Sequence, residues 1–80
     1  MEKAVRLSQL PPGRAARVAG LEESEIKRRL ISLGISEGAE LVRLFSAASG
    51  DPTAYLVRET VVAIRERDAR TVLIGEEAWA

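Results

Sequence analysis

Eighty residues with 12 basic and 12 acidic side chains make one neutral domain, without the cationic excess of a dedicated nucleic-acid binder or of a protein held on an anionic membrane. The sequence contains no cysteine and no histidine, which excludes disulfides, thiolate nucleophiles, Cys/His zinc sites and the usual general base near neutral pH. It is 46% hydrophobic and 30% charged, an ordinary globular balance; no run approaches the roughly 18 apolar residues of a membrane span, and the opening MEKAVRLSQL lacks the apolar core of a signal peptide. A cytoplasmic protein that folds on packing alone is the expectation, with residues 75–80 as a tail.

In chain order, Leu7, Leu10 and the Pro11-Pro12-Gly13 triplet predict a turn. Two successive prolines forbid regular helix, and Gly13 suits a positive φ. Leu7 and Leu10 are expected to drop into the core as a short lid. Residues 14–21, RAARVAGL, read as a strand, with Gly20 marking a bulge or the strand end.

A helix is predicted over roughly residues 23–33. Ser24 is a candidate N-cap, and Glu22, Glu23 and Glu25 sit at the end where the helix dipole favours negative charge. Ile26, Leu30 and Leu33 recur at helical spacing and share one stripe. Ile31 falls off that stripe, onto the flank of Lys27. Gly34 then stands where a helix ends in a left-handed residue. Ser36-Glu37-Gly38 makes a second tight turn, and the two reversals direct the next strand back against the helix.

That strand is residues 39–46, AELVRLFS. Its alternation is not clean, which fits a strongly curved strand; Phe45 is expected in the core. AASGDP over 47–52 is a loop with Asp51-Pro52 as its turn signal. Residues 53–58 and 61–65 read as strands joined across Glu59-Thr60, although Glu59 suits a type I′ turn poorly. Residues 66–70 look like one helical turn, and 71–74 close as a last strand. Tyr55 is expected on its strand with the hydroxyl at a barrel edge. The fold class is therefore mainly β: a small SH3-like barrel of about five strands, closed or nearly so, with one inserted helix.

The ordered set Leu7, Leu10, Gly13, Val18, the segment RRLISLGISEG from Arg28 to Gly38, Gly50-Asp51-Pro52, and AIRERDA from Ala63 to Ala69, with Val72 and Ile74, resembles the FeoA family. The resemblance runs from Leu7 to Ile74. Ala48 and Glu59 depart from it, standing where a proline and a hairpin glycine are usual. It implies an SH3-like barrel without enzymatic activity or cofactor. It also implies a cytoplasmic accessory of bacterial ferrous-iron uptake that binds the cytosolic region of the transporter FeoB. The same fold serves as the C-terminal module of iron-dependent repressors, which is the first alternative; a nucleic-acid-binding SH3-like barrel is the second, disfavoured by zero net charge.

Asp51, Glu59, Glu66 and Asp68 form no dense carboxylate motif for a hard cation and read as solvated charge. Phosphate-loop patterns are missing. One Phe, one Tyr and one Trp are too few for a proline-peptide groove or for base stacking. Arg29 reads as a solvated partner of Glu25 one helical turn earlier. What remains is a docking surface: the helix flank Lys27, Arg28 and Ile31, and the loop residues Gly50, Asp51 and Pro52. Ile31 at the margin of the core is the ordinary alternative. Trp79 is either a loose tail, a strap or a protein contact, and the oligomeric state stays open.

Overall fold

A computed structural model describes residues 5–75. The chain runs β1 (Val5–Arg6), a 3-10 turn (Leu7–Gln9), β2 (Ala15–Leu21), α1 (Lys27–Ser32), β3 (Glu40–Ser46), β4 (Thr53–Val57), β5 (Thr60–Ile64), α2 (Glu66–Ala69) and β6 (Val72–Ile74). The six strands form one antiparallel sheet in the order β1-β6-β2-β3-β4-β5. It is SH3-like, with two departures from expectation. The two-residue β1 was not anticipated, and the barrel is open, because β1 and β5 end the sheet without pairing to each other.

The core gathers the inward residues of every element. Leu7 and Leu10 are completely buried, as the short lid requires, beside Val18, Leu30, Ile35, Leu41, Tyr55, Val57, Ile64, Val72 and Ile74. Arg43 secures that lid: its Nη1 donates to the Leu10 carbonyl at 2.6 Å and its Nη2 to Ser46 Oγ at 3.3 Å, while its Nε is buried without a partner. The pairing of β2 with β6 shifts register between Val18 and Gly20, so Gly20 does mark an irregularity.

The helix is shorter than its sequence pattern. It begins at Lys27 with Ile26 as N-cap and no side-chain cap bond, so Ser24 is not the cap. Ser24 instead opens a turn, its carbonyl accepting from Lys27 N–H at 3.3 Å. Sheet pairing reaches past β2, since Glu22 N–H donates to Thr71 O at 2.8 Å, and the side chain of Glu22 binds Arg6 Nη1 at 2.7 Å. Those tertiary bonds hold Glu22 out of the helix, and the helix starts past Glu23 and Glu25 as well. Glu25 thus precedes α1 and does not pair with Arg29. Lys27 meets Glu23 at 2.7 Å. Leu30 is buried and Ile26 half-buried, but Leu33 at the helix end is 38% exposed.

At that end the backbone forms a Schellman motif. Gly34 N–H donates to Ile31 O at 2.9 Å and Ile35 N–H to Leu30 O at 3.0 Å. Gly34 has φ +100° and Gly38 φ +89°. Gly38 N–H then donates to Val18 O at 2.8 Å, which ties the second turn to β2 and delivers the chain into β3. Gly13 likewise has a positive φ, and its N–H donates to Arg43 O at 2.8 Å.

The β4–β5 hairpin turns one residue earlier than expected. Val57 pairs with Thr60, so Arg58 and Glu59 are the two turn residues, both at positive φ (52° and 69°). That is a type I′ turn without glycine or asparagine. Burial of Tyr55, Val57, Val62 and Ile64 on one face sets the hairpin register, and the turn conforms to it.

Phe45 is 65% exposed, not core. The β3–β4 register shifts between Arg43 and Phe45, leaving Leu44 as an extra residue. A bulge of one residue inverts which side chains face inward beyond it. Leu41 and Arg43 therefore point in, Phe45 points out, and Ser46 returns inward to bond Thr53 Oγ1 at 2.8 Å.

Candidate functional site

The expected docking residues occupy two separate places. On α1, Lys27, Arg28 and Ile31 line a shallow cleft of about 320 Å³ together with Glu23 and Ser24. Ile31 is 44% exposed, so it lies outside the core margin. It stands between a lysine already paired with Glu23 and an exposed Arg28.

The loop residues play a more structural part. Ala47 N–H donates to Pro52 O at 2.9 Å and Gly50 N–H to Ala47 O at 2.7 Å, closing a compact turn. Asp51 Oδ1 accepts from the backbone N–H of Glu66 at 2.9 Å. It thereby satisfies one of the amides left without a partner at the start of α2, from fifteen residues away in sequence. Gly50 borders a different cleft, about 240 Å³, shared with Ser8, Arg43, Thr53, Tyr55 and Glu66. Neither of these two clefts is lined by both the helix flank and the loop.

Tyr55 contributes its ring to the core and faces this second cleft. Burial raises its pKa above the ordinary value; the Arg43 guanidinium opposes the rise, and Asp51 and Glu66 add to it. Among the described residues no three carboxylates come together to hold a metal ion.

The sequence reading missed a third surface. On the outer face of β3–β4–β5, Val42, Leu56 and Val61 form one cross-strand row, and Phe45, Ala54 and Ala63 form the next. Phe45, Val61 and Leu56 are among the most exposed large apolar side chains of the domain. The signal was present in YLV and VVAI, where apolar residues fall on both strand faces. Only the pairing shows that a single face is covered.

The FeoA domain model matches residues 5–75. The chain belongs to the FeoA family. Solved FeoA structures agree with this domain along nearly its whole length. The FeoA-like protein from Clostridium acetobutylicum is 28% identical, with a TM-score of 0.84 over 92% of this chain and 87% of its own. The zinc-complexed FeoA of Stenotrophomonas maltophilia, described as an SH3 domain protein, is 29% identical, with a TM-score of 0.85 over 94% of each chain. IdeR from T. acidophilum shares the fold at 21% identity, with a TM-score of 0.78 over 94% of this chain and 35% of its own. No curated protein matches the chain significantly. The domain is thus tied to ferrous-iron transport, and no helix among its described residues is long and apolar enough to cross a membrane.

Proposed function

We propose that this FeoA domain is a non-enzymatic, cytoplasmic accessory of ferrous-iron uptake that binds the cytosolic region of FeoB. The family match over residues 5–75 carries the reading. The absence of cysteine and histidine from the sequence supports a protein that serves iron transport without gripping the ion, since only weak oxygen ligation would remain. Its lever is preferential binding to one conformation of the transporter, which shifts the population toward that conformation.

The docking surface in this proposal centres on Ile31, flanked by Lys27 and Arg28, with the loop at Gly50, Asp51 and Pro52 as a second point of attachment. An exposed aliphatic side chain beside a cation suits a partner surface that combines an apolar pocket with acidic neighbours. Ile31→Asp tests it. The variant is expected to keep its far-UV circular dichroism and to bind the purified FeoB cytosolic region at least about tenfold more weakly, a loss of about 1.4 kcal/mol. Folded Ile31→Asp that binds as tightly as the native chain removes this surface, and native protein that fails to bind that region removes the partner.

A further inference from the structure

Strand β5 ends the sheet and pairs with β4 alone. Its turn fixes which of its backbone groups are free. A two-residue type I′ turn closes Val57 and Thr60 as a hydrogen-bonded pair, and bonded pairs then alternate along the hairpin. Tyr55–Val62 and Thr53–Ile64 are the other bonded pairs, so Val61 and Ala63 aim their N–H and C=O groups at the open edge. Among the described residues no other backbone group reaches them. A cleft of about 210 Å³ lies between α1 and the Ala63–Ile64 end of the strand.

Natural edge strands are usually short, charged, bulged or interrupted by proline. The opposite end of the sheet obeys: β1 is two residues long and carries Arg6. By contrast, β5 is TVVAI, five residues of high strand propensity with no charge, no proline and no bulge.

We infer that β5 is a self-association edge, pairing antiparallel with β5 of a second copy about a two-fold axis at Val62. The register is chosen by charge. With Val62 opposite its own counterpart, Val61 meets Ala63 of the second copy, and those are the two residues whose amides and carbonyls face outward. Glu59 then falls beside Arg65 of the second copy, a pair that occurs twice by symmetry, whereas a parallel alignment would bring Glu59 beside Glu59. The outer apolar rows also continue across the join, since Val61 abuts Ala63 of the second copy on the exposed face.

The test uses sedimentation equilibrium on the whole chain with Glu59→Arg, Arg65→Glu and the double reversal, each checked for folding by circular dichroism. The native protein is expected to show a monomer–dimer equilibrium. Each single reversal should loosen it about tenfold, since two attractive pairs become repulsive, and the double reversal should restore it. Because the chain has no cysteine, Val62→Cys supplies an independent readout: it should give a covalent dimer on mild oxidation, whereas Leu56→Cys on the central strand should not. A native protein that stays monomeric at millimolar concentration overturns the inference. So does a dimer indifferent to the single reversals, or one that the double reversal fails to rescue.

Discussion

Replacing Gly34 with alanine probes the joint between helix and sheet. Two separate costs can be worked out. At φ +100° an L-residue is strained, and the left-handed region costs an alanine about 1–2 kcal/mol. A Cβ built there would also lie 3.2 Å from Val57 Cγ1 and 3.3 Å from Arg58 Cδ. Arg58 can swing away. Val57 is completely buried in the core and cannot; overpacking of that kind costs about 1–3 kcal/mol. The reduced freedom of alanine in the unfolded chain offsets about 0.4–1 kcal/mol. The net loss is about 2–3 kcal/mol, a large share of the roughly 5 kcal/mol that holds a small domain together. Gly38→Ala is the internal control, because φ is again positive but no atom lies within 4 Å of the added Cβ. It should lose only about 1 kcal/mol. Urea denaturation followed by circular dichroism measures both. Equal losses, or a smaller loss at Gly34, would refute the claim that this turn is held tight against β4.

Three further outcomes follow from geometry. Asp51→Ala removes the carboxylate that accepts from Glu66 N–H, so stability should fall by about 1 kcal/mol with faster amide exchange at Glu66; unchanged exchange there contradicts the cap. Tyr55 has a folded-state pKa above that of the unfolded chain, so its contribution is complete below the unfolded value, near 10. That contribution is lost as pH rises through the folded-state value, and an ultraviolet titration should show the phenol ionising later than free tyrosine. Phe45→Ser should alter stability by no more than about 0.5 kcal/mol, since Phe45 is exposed; a loss on the scale of a buried phenylalanine would place the ring in the core after all.

The elements most legible in the sequence are those whose local chemistry agrees with the packing. Leu7 and Leu10 lead into a Pro-Pro-Gly turn that cannot continue a helix, and they are buried. Gly34 follows an apolar stripe and ends the helix. The discrepancies have a common cause in long-range pairing. Glu22 reads as first-turn helix but is held by Thr71 and Arg6, partners found only by folding. Phe45 lies two residues from Arg43 and four from Leu41, on the face that an unbroken strand would bury, and a one-residue bulge turns it outward. The hairpin turn moved to Arg58-Glu59 because hydrophobic register outweighs turn propensity. The exposure of Ile31 was legible from its place on the helix, whereas Asp51's tie to α2 and the bare β5 edge depend on elements distant along the chain.

The placement of β6 between β1 and β2 carries a consequence for how the molecule comes into being. Val5 pairs with Ile74, and Val18 with the same residue, so strands far apart along the chain share β6 as their common neighbour. On the ribosome the β3–β4–β5 meander can assemble as it emerges, but β2 must wait with one side unfilled until Val72–Ile74 leaves the exit tunnel. A nascent chain cut short before that point lacks the strand that joins β1 to β2.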